Sequence, residues 1–139
     1  MELHKLTDEL AVTGQIEPGD ISELAAQGIR AIICNRPDGE ASGQPGFHEL
    51  EQAAREHGVQ IVYQPVVSGQ IGEDDVKEFD QALQSLPKPI VAFCRSGTRS
   101  TALWSLSQAG KQPIEDILTA AREAGYDMRP LIPRLQMHR

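Results

Sequence analysis

Residues 89–107 read PIVAFCRSGTRSTALWSLS, and the change of character along this stretch decides the fold. An apolar, β-branched run, Ile90–Phe93, ends at Cys94. The turn CRSGTR follows, and from Thr98–Arg99 the spacing becomes helical, with Leu103, Trp104 and Leu106 on a broad apolar face. A run apolar almost throughout is what a strand covered on both faces of a parallel sheet requires. Ala31–Cys34 (AIIC) has the same character, and Leu10–Thr13 (LAVT) and Val59–Tyr63 (VQIVY) complete the set.

Helical patterns lie between these runs. The first has Pro18 ahead of Asp20 as N-cap, Glu23 as its capping-box partner, an apolar stripe of Ile21, Leu24 and Ala25, and a stop at Gly28. The second spans about Pro45–His57 and closes at Gly58, with Phe47, Leu50 and Ala54 on one face. The third, about Glu73–Leu86, opens with three acids suited to the positive end of the helix dipole and ends before Pro87. Thr98–Ala109 and Ile114–Ala124 follow, stopped by Gly110 and Gly125. Alternating strands and helices predict an α/β fold with a mostly parallel four- to five-stranded sheet and helices on both faces. Ligands then bind at the carboxyl ends of the strands.

With 139 residues, 40% of them hydrophobic, and no linker-like stretch or repeat, the chain reads as a single domain, 1–139. Thirteen basic against 20 acidic residues give a net charge of −7, which disfavours nucleic acid and acidic membranes as partners. Nine of the basic residues are Arg, the bidentate oxyanion binder, so a local anion site fits inside an acidic envelope. Two cysteines, Cys34 and Cys94, make neither a disulfide framework nor a zinc site. His4, His48, His57 and His138 lack metal-ligand spacing, so no metal or organic cofactor is expected. The opening MELHKLTDEL is too charged for a signal peptide, and no long apolar stretch occurs, so a cytoplasmic location is expected.

The turn CRSGTR carries the chemistry. Backbone N–H groups of a Gly-containing turn feeding a helix N-terminus point inward and make a concave nest for a tetrahedral oxyanion. The nest comprises Arg95, Ser96, Gly97, Thr98, Arg99 and Ser100, with Arg99 as its fork and Arg95 as a second charge. Cys94, at the mouth of this positive well, is expected to favour the thiolate and act as a nucleophile. Thr98 and Ser100 are placed to hydrogen-bond Cys94 or the anion, and both also suit a helix first turn. Trp104 reads as core, and Tyr126 with the tail MRPLIPRLQMHR as cover for one end of the domain.

At these residues the loop resembles the active-site loop of rhodanese-type sulfurtransferases and cysteine-dependent phosphatases. The chain as a whole resembles the phosphatase-like domain of beta-lactamase-hydrolase-like proteins. The stretches LAVTGQIEPGDISELAAQGIRAIICNRPDGE, PVVSGQI, FCRSGTRSTALW and AREAGYDM carry the likeness. The resemblance implies a compact cysteine-phosphatase-like fold with the Cys loop at its C-terminal edge. It also implies that Cys34, near the end of the strand beside the Cys-loop strand, is a candidate redox partner of Cys94.

Phosphatase loops resemble His-Cys-x5-Arg, whereas here Phe93 precedes the cysteine and four residues separate Cys94 from Arg99. The stretch where such phosphatases place a general-acid Asp reads Pro65–Gln70, with no acid before Glu73 and Asp74. Asp38, in NRPDGE, is a candidate substitute acid, although a turn residue before Gly39 explains it as well. Arg36, in the same loop, is expected to reach the anion pocket or to pair with Asp38 or Glu40. Sulfur transfer needs no such acid, because sulfite or a thiolate leaves unaided. The sequence therefore ranks a sulfurtransferase working through a Cys94 persulfide first, on thiosulfate or a small persulfide. A thiol acceptor or a metallo-hydrolase-like sulfur-oxidising partner would complete that chemistry. A phosphate-monoester hydrolase using a Cys94 phosphocysteine comes second, and a silent oxyanion- or phosphoprotein-binding module third.

Overall fold

Alternation along each apolar strand sends its side chains to two different layers, and the computed structural model, which describes residues 1–137, shows both layers filled. The strands are β1 (His4–Lys5), β2 (Leu10–Thr13), β3 (Ala31–Cys34), β4 (Gln60–Tyr63) and β5 (Ile90–Phe93). The described helices are α1 (Asp20–Ala26), α2 (Phe47–Glu56), α3 (Glu73–Ser85), α4 (Thr98–Ser107), α5 (Ile114–Glu123) and α6 (Ile132–Met137), with a 3-10 turn at Arg129–Leu131. The sheet order is β1-β2-β5-β3-β4; β1 is antiparallel and the other pairings are parallel. The expected mostly parallel α/β sheet is therefore present, with the two-residue β1 added at its edge. His138 lies outside the described residues.

Val12, Ile33, Ile90 and Ala92 face α3, α4 and α5, where they meet Phe79, Leu103, Trp104 and Ile117. Ala11, Ile32, Cys34, Val91 and Phe93 face α1 and α2, meeting Ile21, Leu24, Leu50 and Ala54. β5 is central and buried along its whole length, so the loop leaving it starts from the middle of the sheet. Helix α4 is buried from Arg99 to Ser107, which explains why its apolar pattern extends nearly all round.

Helix starts depart from the local reading. Gly19, not Asp20, occupies the N-cap of α1, and the Asp20 carboxylate accepts from Glu17 N at 2.8 Å, so no capping box forms. Helix α2 begins two residues after Pro45, because its first free N–H, that of Phe47, is capped from a distant loop by Asp38 Oδ1 at 2.9 Å. Leu86 is extended and lies outside α3, as the residue before Pro87 prefers.

Among the described residues, no helix is long and apolar enough to cross a membrane, and no three His, Cys, Asp or Glu side chains converge to hold a metal ion.

Candidate active site

β2, β3 and β5 run parallel, so the segments that follow them crowd together above the sheet's carboxyl edge. Cys94 N bonds Thr13 O at 3.4 Å, and Asn35 N bonds Phe93 O at 2.8 Å, which pins the start of the Cys loop between its neighbours. The loop then reverses at Gly97, whose φ of 93° is the left-handed conformation that glycine adopts without strain. Gly97 N donates to Cys94 Sγ at 3.1 Å, turning the loop amides toward the sulfur. Thr101 Oγ1 bonds Gly97 O at 2.8 Å and secures the first turn of α4, whose leading N–H groups have no partner within the helix. Cys94 and Arg99 are both buried, Arg95, Ser96 and Thr98 are exposed on the rim, and the Ser96 and Thr98 hydroxyls pair at 3.1 Å.

Arg99 is held by a partner that the sequence reading did not assign to it. Its Nη1 donates to Glu40 Oε2 at 2.8 Å and to Val66 O at 2.9 Å, and its Nη2 donates to Glu40 Oε1 at 2.8 Å. These bonds occupy the far end of the fork and leave Nε and one Nη2 hydrogen, an edge able to grip an oxyanion with two parallel bonds. The bonds to Glu40 raise the pKa of the guanidinium, and the neighbouring Cys94 charge adds to this. Glu40 in turn is held down to about 2, chiefly by the bonds from Arg99 and then by those from Arg36. Arg36, 5% exposed, donates from Nε to the same Glu40 oxygen at 2.9 Å and from Nη1 to Gln15 Oε1 at 3.0 Å. Glu40 thus serves two buried arginines, and Arg36 takes Glu40, one of the partners expected for it.

Ser100 bonds elsewhere than expected, Asp38 takes a structural bond, and Cys34 stands, as expected, on the strand beside that of the Cys loop. Ser100, expected near Cys94 or the anion, is fully buried and donates its hydroxyl hydrogen to Asn35 Oδ1 at 2.8 Å, tying α4 to the end of β3. Only its backbone N–H remains for the nest. Asp38 is exposed, with its carboxylate on Phe47 N and its own N–H donating to the Tyr63 hydroxyl at 2.9 Å. Its chemistry here is that of a helix cap. Cys34 pairs in register with Phe93 and shares Phe93's layer of the core. Its thiol donates to Arg36 O at 3.4 Å, burial pushes its pKa up to about 12, and both cysteines are free thiols.

Tyr126 closes the far side of the loop. Its hydroxyl donates to Ser96 O at 2.9 Å, and a Cβ at Gly97 would strike that hydroxyl. Burial raises its pKa, with the Cys94 and Glu2 charges adding to this. Gly14 presses from the opposite side: a Cβ there would lie 2.9 Å from Arg95 O, and Gln15 N bonds the same oxygen at 3.3 Å. The acid after β4, Glu73, pairs with Arg134 of α6 at 3.0 Å. Sequence patterning carried no signal for Tyr126 or Glu40 as site residues, because each is far in the chain from the loop it contacts.

Residues 2–111 match the family model described as the phosphatase-like domain of beta-lactamase hydrolase-like protein. A beta-lactamase hydrolase-like protein of Agrobacterium fabrum is 34% identical over 130 residues, which cover 92% of this chain and 30% of that protein. The chain thus spans about a third of the length of the curated relatives it matches. Among solved structures, a Neisseria meningitidis protein described as a candidate phosphatase is 35% identical, with a TM-score of 0.90 over 100% of this chain and 99% of that one. The core catalytic domain of a PP-IP phosphatase from S. cerevisiae, solved with citrate, shares the fold at a TM-score of 0.70 and 15% identity, over 97% of this chain and 82% of that one.

Proposed function

Because the chain belongs to the phosphatase-like domain family of beta-lactamase hydrolase-like proteins, we propose that this cysteine-based, phosphatase-like hydrolase cleaves phosphate monoesters, with Cys94 as nucleophile. The observation that carries the reading is the pairing of Cys94 with the open Nε/Nη2 edge of Arg99, whose other end is clamped by Glu40 and Val66 O. Three non-bridging phosphate oxygens meet that edge and the amides from Arg95 to Ser100. The Cys94 thiolate attacks phosphorus in line, the S–P bond forms, and the P–O bond to the leaving group breaks with its electron pair. Water then attacks the phosphocysteine, releasing inorganic phosphate and restoring the thiolate. Charge on the transferring group is met by donors already in place, which is where such sites gain most of their rate.

Asp38 caps α2, Glu40 holds two arginines and Glu73 pairs with Arg134, so these acids are given no proton-transfer step. The reading therefore favours leaving groups stable as anions, such as phenolates, over alkoxides. This ranking reverses the one drawn from the sequence, since family and fold support phosphate chemistry. The four-residue spacing between Cys94 and Arg99 favours sulfur transfer as a second reading, to which a thiol acceptor or a metallo-hydrolase-like partner would belong.

The test is to incubate the reduced protein and Cys94→Ser separately with p-nitrophenyl phosphate and with thiosulfate, following phenolate release and intact mass. Cys94-dependent phenolate without a stable one-sulfur mass gain is the expected result. A Cys94-dependent sulfur adduct with no phenolate would overturn it in favour of the persulfide.

A further inference from the structure

We propose that Arg36 forms a second anion subsite beside the phosphate loop, so that the preferred substrates carry another anionic group next to the phosphorus under attack. This rests on the hydrolase reading and names its substrate class. Arg36 lies at the end of β3 with only 5% of its surface exposed. Most of the side chain is packed away, but Nη2 is not among the fully buried polar atoms and so remains reachable from solvent. Its Nε is taken by Glu40 and one Nη1 hydrogen by Gln15. The second Nη1 hydrogen and both Nη2 hydrogens have no protein partner, so most of the fork is unmatched.

Its position relative to the nucleophile follows from shared atoms. Arg36 Nε and Arg99 Nη2 both donate to Glu40 Oε1, at 2.9 and 2.8 Å, so the two guanidinium groups are one oxygen atom apart. The side chain that receives Arg36 Nη1, Gln15, bonds through its own backbone N–H to Arg95 O in the Cys loop. Arg36 is therefore tied both to Arg99, through Glu40, and to the Cys loop, through Gln15. Glu40 and the Cys94 thiolate together balance the two arginines, so the case for a second anionic group rests on the unmatched hydrogens of Arg36 and not on an excess of charge. Where the second anion belongs to the leaving group, Arg36 would also stabilise the charge that develops as the bond breaks, which suits a site whose nearby acids are engaged elsewhere.

The test measures inorganic phosphate and pyrophosphate binding by titration calorimetry to Cys94→Ser, with and without Arg36→Gln, alongside phenyl phosphate turnover by the Cys94 protein. Pyrophosphate should bind about tenfold or more tightly than phosphate, and Arg36→Gln should close that gap by weakening pyrophosphate binding much more than phosphate binding. Equal affinity for the two anions in the parent, a gap that survives Arg36→Gln, or equal weakening of both would each overturn the proposal; the last would mean that Arg36 only props Glu40. Should Arg36→Gln fail to fold, Arg36→Lys keeps the charge without the fork and is expected to narrow the gap, an unchanged gap counting against the subsite. Absence of phenyl phosphate turnover with the gap intact would overturn the hydrolase reading alone, and turnover without a gap would overturn the subsite alone.

Discussion

Cys34 and Cys94 stand at the ends of adjacent parallel strands, one position out of register, yet they have opposite chemistry. Cys34 ends β3 inside an apolar layer, donates to the carbonyl of Arg36, and has its pKa raised to about 12 by burial. Cys94, equally buried, receives a hydrogen bond from Gly97 N and lies against the Arg99 guanidinium. Burial alone does not separate them. What differs is the polarity of the segment that follows: the chain after Cys34 offers its thiol an acceptor, whereas the chain after Cys94 offers its sulfur donors.

The sharpest way to break this contrast is to remove each sulfur. Cys94→Ser should lower p-nitrophenyl phosphate turnover by about a thousandfold or more, as loss of a nucleophile does, while Cys34→Ser should change it by less than about threefold. Comparable losses in both variants would erase the distinction.

Alkylation probes the same contrast with the sulfurs in place. With a pKa near 12, Cys34 is a neutral thiol to well above pH 10, and only about one molecule in ten thousand carries its thiolate at pH 8. Iodoacetate at pH 8, followed by mass mapping, should modify Cys94 more than about a hundredfold faster, and inorganic phosphate should slow that modification. Early labelling of Cys34 would contradict its raised pKa.

Glu40→Gln sharpens the donor side. The variant keeps the side-chain shape but loses the ion pair that orients Arg99, so kcat/KM should fall about tenfold, with the loss mostly in kcat. A folded pKa near 2 against an ordinary value of 4.5 means that Glu40 stabilises the fold above about pH 4.5. That contribution declines as the pH falls from there toward 2, so acid unfolding should be less steep in Glu40→Gln across this window. The smallest effect concerns Asp38: Asp38→Ala should cost about 1 kcal/mol of stability through its cap on α2 and change turnover less than about twofold. A much larger loss of turnover would return Asp38 to the role of proton donor.

Local patterning made the parallel α/β sheet, the Cys loop, Gly97 at its turn and the stops at Gly28, Gly58 and Gly125 readable in advance, because strand burial and left-handed glycine turns are short-range properties. The same patterning misplaced the cap of α1 and gave no sign that Asp38 caps α2, since a remote carboxylate can cap a helix with no trace in the helix's own sequence. It also identified Cys94 and Arg99 as a pair, because both lie in one turn. Only the tertiary structure decided that Glu40 clamps Arg99 across 59 positions of chain, that Ser100 bonds Asn35 rather than the sulfur, and that Tyr126 covers Gly97. Those choices depend on which loops the strand order brings side by side, and a spacing rule that acts within one segment holds no information about contacts between segments.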